Sequence, residues 1–185
     1  MKMEKRGASG TIVFLFIILV ATIISLTIII YTISNPPEYS PKYEQRIILG
    51  EITNPAENLD NEQAIQNFNE DFVYYFLVQL KAFNLYNPPF SEDNPKINLI
   101  ISDSFYSAEI KEGEITIDKK FFETSDITII ASKEEIISII KKESKISELI
   151  KKQSIKINEN SDKKTLYSKG YKEFYENLEK DNLYF

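Results

Sequence analysis

From Thr11 to Ile33 the chain carries no charged residue, and nothing else in the sequence constrains the fold as strongly. A helix of about 23 residues rising 1.5 Å per residue is roughly 34 Å long, enough to cross a hydrocarbon core of about 30 Å with modest tilt. Lys2, Lys5 and Arg6 precede the run against Glu4 alone, and Ser34-Asn35-Pro36-Pro37 closes it. Lys and Arg are retained on the cytoplasmic side of a membrane. The run is therefore expected to be a single-pass helix in the cell membrane, with the N-terminus cytoplasmic and the C-terminal domain extracellular.

Two other readings start from the same residues. A cleavable secretory signal has an apolar core of about 7–15 residues and a small-residue cleavage site just beyond it. Here the run is longer and ends in Tyr31-Thr32-Ile33-Ser34-Asn35-Pro36, which favours an uncleaved signal anchor. The phrase Lys5-Arg6-Gly7-Ala8-Ser9 resembles the processing site of archaeal type IV pilin precursors, which implies cleavage after Gly7 and a helix that packs into a filament. The acidic residue that many pilin helices carry near the new N-terminus is missing between Ala8 and Ile17.

Charge narrows the partners. Of 22 basic and 28 acidic residues, Lys2, Lys5, Arg6 and Glu4 lie before the apolar run, leaving 19 against 27 and a net charge of −8 beyond it. A nucleic-acid surface needs the opposite sign, so no nucleic-acid partner is expected. With no Cys, the chain has no disulfide, thiolate metal site or Cys nucleophile. Heavy use of Ile, Lys, Asn and Glu points to an AT-rich genome.

Four segments follow: a cytoplasmic basic N-terminus (1–10), the transmembrane helix (11–33), a stalk or linker (34–60) and an α+β domain (61–185). Pro36, Pro37, Pro41 and Pro55 interrupt any helix in the stalk. Ile47, Ile48, Leu49 and Ile52 suggest a short strand there that docks on the domain. The remaining length of about 125 residues suits one core.

Asp60-Asn61-Glu62-Gln63 has capping-box spacing, and Ala64, Phe68, Phe72, Tyr75, Phe76, Leu80 and Phe83 recur at intervals of three and four. Together they predict one helix from Asp60 to about Asn84 with an aromatic face. Strands are predicted at Ile97 to Ile101, Tyr106 to Ile110, Ile115 to Ile117, Ile127 to Ala131 and Ile155 to Ile157. The second and third are joined by a hairpin in which Gly113 takes a positive φ. Ser132 and Glu135 form a second capping box before a helix with Ile136, Ile137, Ile139 and Ile140. A short helix with Ile146, Leu149 and Ile150 follows, and Tyr171, Phe174, Tyr175 and Leu178 mark the last helix. This order argues for an α+β layer rather than a doubly wound parallel sheet.

The phrases Phe105-Tyr106-Ser107-Ala108-Glu109-Ile110-Lys111-Glu112-Gly113-Glu114-Ile115 and Ser125-Asp126-Ile127-Thr128-Ile129-Ile130-Ala131-Ser132-Lys133-Glu134-Glu135, in this order of elements, resemble the sterol carrier protein 2-like (SCP2) domain. The likeness spans roughly Phe68 to Lys180. Ser154 to Asn160 lacks the Gly-rich phrasing usual for that family after the second helix. The resemblance, behind an anchor in a chain expected to be archaeal, implies a roughly five-stranded sheet with helices packed on it and an apolar tunnel for a lipid or acyl ligand. Apolar side chains of the helices facing the sheet would line it, with Phe72, Phe76, Phe83, Ile136, Ile139 and Ile140 as candidates. The same stripe also suits plain core packing, which a small domain requires.

Catalysis has little to draw on. The absence of His removes the commonest general base and the usual triads. Ser168-Lys169 has the residue types of a dyad, but neighbours in a helix point apart. Asn158-Glu159-Asn160-Ser161-Asp162 is oxygen-rich but lacks the glycine and closing acid of a calcium loop. Five scattered glycines build no phosphate-cradling loop. The expectation is a non-catalytic protein without cofactor or metal, bound to the membrane and to a possible lipid or acyl ligand. The alternative is a structural or envelope-assembly component, such as a pilin-like protein, whose domain is a protein-interaction head. Protein partners are not legible.

Overall fold

The computed structural model describes residues 8–34, 42–43, 46, 51–88 and 91–183. The Lys5-Arg6-Gly7 phrase and the expected strand at Ile47, Ile48 and Leu49 lie outside the described residues. The chain divides into two compact units, residues 1–36 and 37–185.

The first unit is helix α1, Ala8–Ser34. Its segment Val13–Tyr31 is long and apolar enough to cross a membrane, and none of it is buried in protein. Its polar side chains turn back on the helix: the hydroxyls of Thr22, Ser25 and Thr27 donate to the carbonyls of Leu19, Ala21 and Ile23. In a phase without water, that leaves none of these three hydroxyls in need of a partner.

The second unit is α+β and is built on a five-stranded mixed sheet in the order β3-β2-β1-β4-β5. The strands are β1 (Lys96–Ile101), β2 (Ser104–Lys111), β3 (Glu114–Asp118), β4 (Ile127–Ala131) and β5 (Lys156–Glu159). Strands β1 to β3 form an antiparallel meander, β4 runs parallel to β1, and β5 closes the far edge antiparallel to β4. Register places Leu99 opposite Tyr106 and beside Ile129, and Ile129 opposite Ile157. One apolar row therefore runs across the inner face, as the period-two alternation requires.

The helices of this unit are α2 (Asn61–Gln66), α3 (Glu70–Gln79), α4 (Lys133–Ile140), α5 (Ile146–Lys151), α6 (Lys163–Ser168) and α7 (Tyr171–Glu179), with a 3₁₀ turn at Ala82–Asn84. The single helix expected from Asp60 to Asn84 is thus three pieces. The break falls where Asn69 leaves the helical backbone and caps α3 by accepting from the Asp71 amide, a local bond that competes with continuation of the helix. Both expected capping boxes are present, Asp60 with Gln63 and Ser132 with Glu135. Helix α5 has no capping side chain of its own at Lys145. Asp181 supplies one from the end of the chain, accepting from the Ser147 amide at 2.9 Å and its hydroxyl at 2.6 Å.

Part of the segment expected to be a stalk is in the core. Tyr43, Ile52 and Ala56 are buried. The Tyr43 ring stacks on Phe83 at 4.1 Å and its hydroxyl donates to the Gly113 carbonyl at 2.6 Å. Lys42 and Arg46 pair with Glu114 at the same corner, and the hydrogen bond from Lys42 holds the Glu114 carboxyl below its usual range.

The hairpin between β2 and β3 turns on Glu112 (φ 50°) and Gly113 (φ 79°), between the paired residues Lys111 and Glu114. Two successive positive φ values are the signature of the type I′ turn, whose twist matches that of the strands. Gly113→Val places a branched side chain in that backbone region, and the domain should lose about 1 kcal/mol or more of stability. Urea melts of both forms measure it; an unchanged midpoint would contradict the turn.

Candidate functional site

Two features on the C-terminal side of the sheet carry the domain's unusual chemistry. The first is a buried ion pair. Asp126 stands just before β4, 3% exposed, and Lys169 stands between α6 and α7, 2% exposed. The Lys169 ammonium donates to Asp126 Oδ1 at 2.8 Å and Asp93 Oδ2 at 2.7 Å, with the Asn94 carbonyl at 3.3 Å. An ammonium has three donors, and all three are engaged.

Asp126 is as fully used. Its Oδ1 also accepts from the Ser161 hydroxyl at 3.3 Å, and its Oδ2 accepts from the Lys96 amide at 2.7 Å and the Tyr171 hydroxyl at 3.3 Å. Its own amide donates to the Lys96 carbonyl, and its carbonyl accepts from the amides of Asn160 and Ser161. The Tyr171 phenol is fully buried, and burial together with the Asp126 charge pushes it well above its ordinary range, so it remains a donor.

Gly170 lies between these two residues with φ 86°, and a Cβ there would meet the Tyr86 ring at 2.8 Å. Lys169-Gly170-Tyr171 therefore needs a buried cation, a glycine backbone and a phenol in succession. A polar pocket of about 100 Å³, lined by Asp93, Lys96, Thr124, Ser125, Asp126, Ser161 and Lys169, opens beside the pair. Since every strong donor and acceptor of the pair is already matched, the cluster is built to hold structure. Ser168 takes no part in it: its hydroxyl donates to the Thr165 carbonyl at 2.8 Å. The residue types of a Ser-Lys dyad are present without the geometry.

The second feature is a groove of about 480 Å³ at the β5 edge, between α5 and α7. That volume lies within the range of about 300–1,000 Å³ typical of ligand pockets. Ile150, Ile157, Tyr175 and Leu178 form its apolar walls, and Glu159, Tyr167, Lys172, Glu176 and Glu179 complete the lining. The Tyr175 hydroxyl is buried without a hydrogen bond of good geometry, and burial and the Glu159 charge push its phenol far up. Tyr167 is 52% exposed.

The six residues singled out by sequence are all in the interior. Phe72, Phe76 and Phe83, from α3 and the 3₁₀ turn, and Ile136, Ile139 and Ile140, from α4, are each at most 2% exposed. They belong to the same core cluster, and none of them lines the groove. Sequence reasoning placed Ile150, Ile157, Tyr175 and Leu178 on elements but not at a site, because an apolar stripe looks the same whether a neighbour covers it or not. Among the described residues no group of three or more acidic side chains is placed to hold a metal ion.

No protein-family model matches the chain, and no curated protein matches it. Among solved structures it is similar to a double mutant of the sec-alkylsulfatase PisA1 (16% identity, TM-score 0.42), over 62% of this chain and 17% of that one. It is also similar to palmitated SCP2L2 from Aedes aegypti (15% identity, TM-score 0.37), over 56% of this chain and 91% of that one. UbiJ-SCP2, a ubiquinone synthesis protein, aligns at 10% identity and TM-score 0.32, over 74% of this chain and 98% of that one. The chain thus spans about a sixth of the alkylsulfatase and nearly all of the two SCP2 structures.

Removing one partner of a buried ion pair leaves the other charge without compensation. Lys169→Met should therefore cost about 3–5 kcal/mol, and adding Asp126→Asn to it should restore part of the loss. Denaturant melts of the two single variants and the double variant measure both effects. A loss for Lys169→Met within about 1 kcal/mol, the size of an exposed pair, would contradict the structural role.

Proposed function

We propose that the chain is a membrane-anchored, non-catalytic protein whose extracytoplasmic domain binds an elongated apolar molecule, a lipid or fatty-acyl chain, in the groove between β5, α5 and α7. The observation that carries this reading is the groove itself, walled by Ile150, Ile157 and Leu178 and open to solvent at a charged rim. Exposing an apolar wall of that size to water is unfavourable, and covering it with a hydrocarbon chain lowers the free energy. Helix α1, uncharged from Thr11 to Ile33, supplies the anchor, and the basic residues before it supply the orientation.

The rim refines the ligand. Glu159, Glu176 and Glu179 outnumber Lys172 in the lining, with Glu176 also paired to Lys180 at 3.3 Å, so an acyl chain with a neutral or cationic head suits the groove better than a free fatty-acid carboxylate. The interior set Phe72, Phe76, Phe83, Ile136, Ile139 and Ile140 is proposed as the deeper wall that a long chain reaches if the helices part from the sheet.

Titrating the fragment 37–185, which contains the described core, with a neutral fluorescent acyl probe tests the reading. Saturable binding is expected, and Ile157→Trp, which fills the groove, should abolish it with the fold intact. Ile140→Trp overpacks the interior and should cost about 1–3 kcal/mol; if it also abolishes binding in a folded protein, the deeper wall is part of the site. No saturable binding to the unaltered fragment would sink the proposal. The orientation requires that protease added outside intact cells degrade the domain; protection would reverse it.

A further inference from the structure

With no Cys, the chain cannot be cross-linked by a disulfide, but its interior holds another pair of side chains able to condense with each other, a primary amine and a carboxyl group. Lys169 Nζ donates to Asp126 Oδ1 at 2.8 Å, and a carbon–oxygen length of about 1.2 Å sets Asp126 Cγ within about 4 Å of that nitrogen. Both side chains are buried. Reactants fixed in contact and well oriented act as if at effective concentrations of about 10⁵–10⁸ M. Burial also works against separated charges, and a neutral product removes both from the interior.

The groups around the pair match the needs of an acyl substitution. Asp126 Oδ2 accepts from the Lys96 amide at 2.7 Å and the Tyr171 hydroxyl at 3.3 Å, two donors aimed at the oxygen that gains charge when an amine adds to Cγ. Asp126 Oδ1, the oxygen that must leave, accepts from the Ser161 hydroxyl at 3.3 Å. Asp93 Oδ2 lies 2.7 Å from the same Lys169 nitrogen, and its side chain is 57% exposed, so this second carboxylate is placed to carry protons. The polar pocket of about 100 Å³ beside the pair, lined by Asp93, Asp126, Ser161 and Lys169 among others, has room for a departing water.

We propose that Lys169 and Asp126 condense into an intramolecular amide, Nζ to Cγ, for which the ion pair is the reactant state. One ammonium proton passes to Asp126 Oδ1, leaving an amine beside a carboxylic acid. The amine lone pair attacks Cγ, the Nζ–Cγ bond forms, and Oδ2 takes the displaced electron pair. Asp93 accepts a second proton from the nitrogen and returns it to Oδ1. The Cγ–Oδ1 bond then breaks as Oδ2 reforms its double bond, and Oδ1 leaves as water with both protons. The third proton stays on the amide nitrogen, and Asp93 ends as the carboxylate it began as. The step consumes no oxidant and no co-reactant. The bond joins the start of β4 to the α6–α7 junction across 43 residues, and it constrains the unfolded chain as a disulfide would. It depends on neither the groove nor its ligand.

Denaturing mass spectrometry of the full chain, taken from the membranes that express it, reads the step directly: a linked chain is lighter than its sequence mass by one water. Trypsin then locates the bond. Unlinked protein yields the separate peptides Thr165–Lys169 and Gly170–Lys172. An amide at Lys169 blocks that cut and joins Thr165–Lys172 to Phe121–Lys133, the peptide that holds Asp126. The branched peptide is expected from most chains. In freshly synthesised protein followed over time, Asp93→Asn should slow linkage about a hundredfold, the lower end of what a positioned acid–base group contributes. Circular dichroism of this variant should match the unaltered chain, since Asp93 is half-exposed and the buried pair is kept. Recovery of Thr165–Lys169 as the main form, or a water loss that maps to other residues, overturns the inference. Linkage as fast in a folded Asp93→Asn chain as in the unaltered one overturns the part given to Asp93.

Discussion

The buried pair of Asp126 and Lys169 is the contact on which the C-terminal half of the domain depends. Asp126 receives bonds from the first residue of β1, from the loop after β5 and from both Lys169 and Tyr171. Two charges withdrawn from water cost several kcal/mol each unless geometry and further hydrogen bonds compensate them. Here every polar atom of the pair is matched, so the cluster tolerates one arrangement of its neighbours and penalises others. Such specificity is what a domain needs when its last two helices are short and fold back from the edge of the sheet.

The groove follows from that arrangement. Lys169 and Tyr171 fix the start of α7, Gly170 lets the chain pass under the Tyr86 ring, and α7 then carries Tyr175 and Leu178 to the groove wall. Asp181, two residues past α7, caps α5 and so ties the opposite wall to the same arm. Both walls are thereby positioned by polar contacts outside the groove, which leaves Ile150, Ile157 and Leu178 to form its apolar part. A site held this way can present hydrocarbon-sized space without collapsing its own helices into it.

Much of the sheet was legible because alternation at Ile97-Leu99-Ile101, Tyr106-Ala108-Ile110 and Ile127-Ile129-Ala131 is a local signal, and so are the capping boxes at Asp60 and Ser132. The break of the first helix at Asn69 escaped notice, since the apolar spacing runs through it while a side-chain bond ends the helix. No helix is predicted at α6, although Asp162 accepts from the Lys164 and Thr165 amides as a proper cap. The Asp126–Lys169 pair has no local signature at all: its partners are 43 residues apart, and a lone lysine before a glycine looks like any surface lysine. The burial of Phe72, Phe76, Phe83, Ile136, Ile139 and Ile140 could be read from helical spacing. Which apolar stripe stays uncovered is decided by tertiary packing, and so the groove at Ile157 and Leu178 was out of reach.

The central claim is that the domain carries an apolar molecule in this groove, and native mass spectrometry of the full chain, extracted gently from the membranes that express it, tests that most directly. The account predicts a species heavier than the protein by the mass of one lipid or acyl molecule, and its loss when Ile157→Trp fills the groove. A single mass equal to the bare polypeptide, unchanged after incubation with excess lipid, would contradict it.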